Sequence, residues 1–127
     1  MITIVDIPVY NTSVAVLVEI NTKELKDFYK SNKHNLTYEE YKCLRESLTK
    51  KNISGFTIVC ESGKYLLYLK NGKSDNFVSH EIFHVCNKIL LGKGVRIDEN
   101  AEPWAYLIGW FTEEYYRRYW KYKDQKK

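Results

Sequence analysis

Two apolar, β-branched runs open the chain, Ile2 to Val9 and Ser13 to Ile20, separated by Tyr10-Asn11-Thr12. Such residues fit a pleated, half-buried surface, so the pattern predicts two strands paired as a hairpin. Pro8 has no N–H to give to a ladder, which places the first strand at a sheet edge. Asn21-Thr22-Lys23-Glu24 then sets a capping residue three positions before an acid, with Leu25, Phe28 and Tyr29 following at helical spacing. A short amphipathic helix is expected there. Polar Ser31-Asn32-Lys33-His34-Asn35 ends it, and Thr37-Tyr38-Glu39-Glu40 is a second capping box, for a helix through about Thr49.

The pattern turns back to strand at Gly55 to Glu61 and Lys64 to Lys70, two apolar runs around Ser62-Gly63, a connection suited to a tight hairpin. Asn71-Gly72 breaks the second run, and Ser74 or Asp75 can cap a helix that reaches Leu91 before Gly92 and Gly94. On it Phe77, Val78, Ile82, Phe83, Val85, Cys86, Ile89 and Leu90 cover most of the circumference, which predicts a buried central helix. Asn100 can cap a last helix from Ala101 to about Tyr122, with Pro103 tolerated in its first turn. Ala101, Ala105 and Gly109 recur every four residues, a stripe of little bulk along which another helix could approach closely. The elements predict an α+β fold, a small mainly antiparallel sheet packed against the central helix and the C-terminal helix. Residues 1–122 read as a single domain and 123–127 as a basic, disordered tail.

At 127 residues the chain suits one compact core and no separate substrate domain. Its 20 Lys and Arg exceed its 16 Asp and Glu, and the excess lies mostly in Arg117, Arg118, Lys121, Lys123, Lys126 and Lys127. That distribution reads as a solvated helix end. Cys43, Cys60 and Cys86 are odd in number, widely spaced and set in apolar contexts, so they are expected to be reduced core residues. No basic segment followed by an apolar block opens the chain, and the apolar window from Pro103 to Phe111 falls well short of the roughly 20 residues a membrane span needs. The expectation is a soluble cytoplasmic protein, or one carried inside a particle assembled in a cell.

One stretch of the central helix carries chemistry. In Ser79-His80-Glu81-Ile82-Phe83-His84 two of the chain's three histidines stand four apart with a carboxylate between them. Residues four apart share a helix face, so both imidazoles can bind one tetrahedral metal ion. Glu81 is rotated about 100° from His80, where it can reach a water without ligating the metal. Zinc is the expected cofactor, with three protein ligands and one open position. His80 and His84 supply two, and Glu102 is the choice for the third because the small-residue stripe beside it would bring its helix close. Asp98 and Glu99, in the preceding connection, are the alternatives. Glu81 is the only charged residue between Asp75 and Lys88, and an unpaired carboxylate on a mostly buried helix is costly unless something there offsets it.

His80-Glu81-Ile82-Phe83-His84, followed by Ala101-Glu102-Pro103-Trp104-Ala105-Tyr106-Leu107-Ile108-Gly109-Trp110, resembles the gluzincin group of zinc metallopeptidases, and more closely small HExxH proteins encoded by tailed bacteriophages. The resemblance covers about residues 78 to 112. It implies His80, His84 and Glu102 as zinc ligands, Glu81 as general base, and a peptide or protein substrate. Tyr106 stands where an acidic partner is common one turn after the ligand glutamate. As a catalytic residue it would orient a ligand or donate a hydrogen bond to the oxyanion. The competing expectation is a non-catalytic zincin-like zinc-binding protein acting as a virion or host-interaction component.

His34, in a polar loop, reads as a surface residue. Tyr115, Tyr116, Tyr119, Trp120 and Tyr122, interleaved with Arg117, Arg118 and Lys121, read as a helix edge packed on the domain or on a second copy in a homodimer. Nucleic acid is not the expected partner, because no recognised motif accompanies the charge.

Overall fold

The computed structural model describes residues 1–96 and 101–126. Strand β1 (Ile2–Ile7) leads through a 3₁₀ turn (Pro8–Tyr10) into β2 (Thr12–Val18). Helices α1 (Thr22–Ser31) and α2 (Tyr38–Leu48) follow, then β3 (Gly55–Val59) and β4 (Tyr65–Leu69). Helices α3 (Asp75–Gly92) and α4 (Glu102–Gln125) complete the order. The first strand stops at Ile7, two residues short of the expected end, because Pro8 opens the turn and Asn11 closes it in the left-handed region.

The sheet runs β1-β2-β4-β3. Both predicted hairpins form and are antiparallel, and β1 lies at an edge, as Pro8 requires. The central pair, β2 with β4, is parallel, Val14 opposite Tyr65 through Val18 opposite Leu69. A parallel neighbour needs a long crossover, and α1 and α2 lie within it. The fold is therefore α+β around a small mixed sheet.

Both faces of the sheet are covered. Val14, Val16, Val18, Tyr65, Leu67 and Leu69 join α3 and α4 in one core, while Ala15, Leu17, Leu66 and Tyr68 join α1 and α2 in the other. This explains why β4 is apolar at every position: a strand buried on both faces has no polar side to alternate with. The two capping boxes form as read, Asn21 with Glu24 and Thr37 with Glu40. Glu40 also accepts the Glu61 N–H at 3.0 Å, tying α2 to the β3–β4 turn.

Three expectations change. Helix α3 buries one face only: Val78, Ile82, Val85, Cys86, Ile89 and Leu90 are inside, whereas Phe77 and Phe83 are exposed. The packing face of α4 is not the small stripe. Trp104, Leu107, Phe111, Tyr115 and Tyr119 are buried, and Ala101, Ala105 and Gly109 face solvent. Large aromatic and aliphatic groups remove far more apolar area from water than a row of Cβ atoms, so the bulky face wins. Cys43 is exposed, leaving Cys60 and Cys86 as the buried thiols.

The far end of α4 is anchored through Glu19. Its carboxylate accepts from Lys123 Nζ at 2.7 Å, Tyr119 Oη at 2.8 Å and the Gly72 N–H at 3.0 Å. The Gly72 carbonyl accepts from Tyr115 Oη at 2.8 Å. These bonds carry the helix past Tyr122 to Gln125, so Lys123, Asp124 and Gln125 are helical rather than tail.

Candidate metal centre

Helix α3 begins on the Asn71-Gly72 bend. Ser74 occupies the N-cap position without a side-chain cap bond. Asp75 instead accepts from Tyr116 Oη at 2.5 Å, tying the first turn of α3 to α4. With that turn fixed, periodicity sends Val78, Ile82 and Val85 to the core and His80 and His84 outward. The imidazole Nε2 atoms stand 3.0 Å apart, with ring centroids at 4.5 Å and planes at 79°. At that separation one neutral imidazole can donate to the other. His80 is open to solvent, its side chain 64% exposed.

Glu81 points the other way round the helix, toward β3. Its side chain is 9% exposed, and its carboxylate oxygen lies 4.0 Å from His80 Nε2. Space for it exists because position 55 is glycine: a Cβ there would stand 3.0 Å from Glu81 Cγ and 2.7 Å from the Tyr68 carbonyl oxygen. Burial pushes the Glu81 carboxyl above its ordinary value of 4.5, against the opposing pull of His80 and His84. In the sequence Gly55 carries one signal for this role, a glycine at the start of a strand pattern, which marks close approach.

His80, Glu81 and His84 are thus brought together. Glu102 and Tyr106 are brought together elsewhere. They line an apolar groove with Ile7, Pro8 and Trp110, and Tyr106 is 74% exposed. Glu102 lies about 200° round α4 from the buried Trp104, so it is turned away from the face that packs on α3. Asp98 and Glu99 lie outside the described residues, as does Asn100. Among the described residues no group of three or more His, Cys, Asp or Glu is placed to hold a metal ion. What links the histidine face to α4 is aromatic: Phe83 lies 6.1 Å from the His84 ring and 6.2 Å from Trp104.

His34, read as a surface residue, is buried at 1% exposure. Its Nε2 donates to the Tyr65 carbonyl at 2.7 Å, and burial holds its pKa below the ordinary 6.5. The polar sequence around it is real, but the connection between α1 and α2 must pass the end of β4, and a ring that can satisfy the Tyr65 carbonyl belongs inside. Of the C-terminal aromatics, Tyr115 and Tyr119 are core, while Trp120 is 47% exposed. No described helix is long and apolar enough to cross a membrane. Comparison with family models, curated proteins and solved structures finds no match for this chain.

Proposed function

We propose that His80 and His84 hold a zinc ion and that the chain is a zinc-dependent hydrolase of peptide bonds. One observation carries the reading: two Nε2 atoms converge to 3.0 Å on the open face of α3, with a desolvated carboxylate beside them. Two imidazoles on one tetrahedral zinc, each at 2.0–2.1 Å, keep their nitrogens about 3.4 Å apart, so the pair fits with a small adjustment. Bound there, zinc would supply a Lewis acid that polarises a scissile carbonyl and acidifies a water. Glu81, its proton affinity raised by burial, takes a proton from the attacking water and returns it to the leaving amine. Peptide is the favoured substrate class because β3, the edge strand beside Glu81, has a free ladder for extended backbone.

A third protein donor is needed. Glu102 would supply it only by leaving its groove, whereas Asp98 and Glu99 precede it in the connection. Zinc stoichiometry of the wild type and of single Asp98, Glu99 and Glu102 variants identifies the donor. Glu81→Gln is expected to keep the metal and lose cleavage, and His84→Ala to lose both. Undiminished hydrolysis by Glu81→Gln ends the enzymatic reading.

The exposure of His80 favours a second reading, in which zinc staples a zincin-like binding protein without turnover. Chelation would then lower the melting temperature while no peptide is cleaved.

A further inference from the structure

We propose that the outer edge of β1, on the far side of the sheet from Glu81, takes up an extended acidic peptide as an added strand. Met1 and Val18 exchange both backbone hydrogen bonds, at 2.7 and 2.8 Å. Hydrogen-bonded pairs alternate along an antiparallel ladder. Thr3 and Val5 therefore face β2, and Ile2, Ile4 and Asp6 turn their N–H and C=O groups outward. The Ile4 carbonyl points outward and accepts from Arg118 Nη1 at 3.1 Å, so an added strand gains that acceptor by displacing the guanidinium.

That edge lies in a slot. A groove of about 980 Å³ has Ile2, Thr3 and Ile4 along it, α1 on one side and α4 on the other. Its cations are Lys33, Arg117, Arg118, Lys121 and Lys126, against Glu24 and Asp27. Arg117 and Arg118 share Glu114, and the Glu24 carboxylate accepts the Asn21 N–H of its capping box. Among the described residues Lys121 and Lys126, at the α4 end, and Lys33, just beyond α1, have no carboxylate partner within 4.0 Å; with Arg117 and Arg118 the α4 wall is the more cationic of the two.

An added strand sends alternate side chains to the two walls. Those toward α4 meet Arg117, Arg118, Lys121 and Lys126, and those toward α1 meet a wall of mixed charge, Glu24, Asp27 and Lys33, with Phe28 buried behind it. The fitting partner therefore carries an acidic residue at every second position, with uncharged residues between them. A second copy fits poorly. Antiparallel pairing of two β1 edges about a two-fold normal to the sheet sets α4 beside α4, cation against cation.

The test uses a rhodamine-labelled octapeptide of four Val-Glu repeats, with binding read by fluorescence anisotropy against the full chain. Saturable binding is expected, weakened about tenfold by the double variant Lys121→Glu with Lys126→Glu and by replacing Val-Glu with Val-Lys. Strand addition has a sharper signature. Valine amides all lie on one edge of the bound peptide and glutamate amides on the other, so N-methylating one set should abolish binding and N-methylating the other should spare it. The weakening by Lys121→Glu with Lys126→Glu separates this edge from the zinc site, because both lysines line the β1 groove. The proposal is overturned by no binding, by equal binding of the Val-Lys peptide, by equal tolerance of both N-methylated peptides, or by sedimentation showing a dimer whose β1 edge is closed.

Discussion

Glu81 fills the space that Gly55 leaves empty. A Cβ at position 55 would stand 3.0 Å from Glu81 Cγ, on a strand whose pairing already brings the Tyr68 carbonyl to 2.7 Å of the same point. The carboxylate is therefore positioned by a missing side chain on a neighbouring strand. Gly55→Ala is expected to destabilise the fold by about 1–3 kcal/mol, since overpacking against backbone cannot relax cheaply. Urea unfolding monitored by tryptophan fluorescence checks it, and a midpoint equal to wild type would show that the approach is not tight.

The two faces of α4 give a paired prediction. A Cβ on Gly109 meets nothing within 4 Å, so Gly109→Ala gains helix propensity and is expected to stabilise by about 0.5–1 kcal/mol. Gly72→Ala would place its Cβ at 2.5 Å from Tyr119 Cε1 and Val18 Cγ1 and at 2.6 Å from Tyr115 Oη, costing about 1–3 kcal/mol or more. Melting temperatures of the two variants should move in opposite directions. If Gly109→Ala lowered stability, the small-residue stripe would be a packing face after all.

His34 should make the fold acid-sensitive near neutrality. Its folded pKa lies below the ordinary 6.5 because burial disfavours the imidazolium, so between the two values the unfolded chain binds more protons. Its contribution is intact above 6.5, declines as pH falls below 6.5, and levels off under the folded value. His34→Gln keeps an N–H donor for the Tyr65 carbonyl without a titrating ring. Unfolding free energies measured from pH 7.5 to pH 5 should slope less in that variant than in wild type; identical slopes would refute the assignment.

Zinc binding to the native state alone would stabilise it by linkage. At free zinc one hundred times the dissociation constant the gain is about 2.7 kcal/mol. Denaturant unfolding with zinc and with a chelator should show that difference in wild type, and its disappearance in His84→Ala. Equal stability in all conditions would remove zinc from the proposal.

Legibility followed range. Both hairpins, both capping boxes and the four helices were readable because propensity, capping and period are set by residues within about one turn or one strand of each other. The proximity of His80 to His84 was readable for the same reason, since a four-residue step on a helix fixes it. Glu102 was not. Its placement depended on which face of α4 turned inward, and the small stripe misled because its spacing is as regular as that of the aromatic face. His34 was misplaced by its polar neighbours, because its burial is decided by a carbonyl thirty-one residues away.

The sequence by itself determined that a helix would present two imidazoles with a carboxylate between them, because helical geometry is a local constraint. Tertiary structure alone decided what surrounds them. It made the central pair of strands parallel, covered both faces of the sheet, opened room for Glu81 at Gly55, and turned Glu102 and Tyr106 into a separate groove. Those outcomes depend on which apolar faces bury the most area against one another, and that comparison is made only when the whole chain packs.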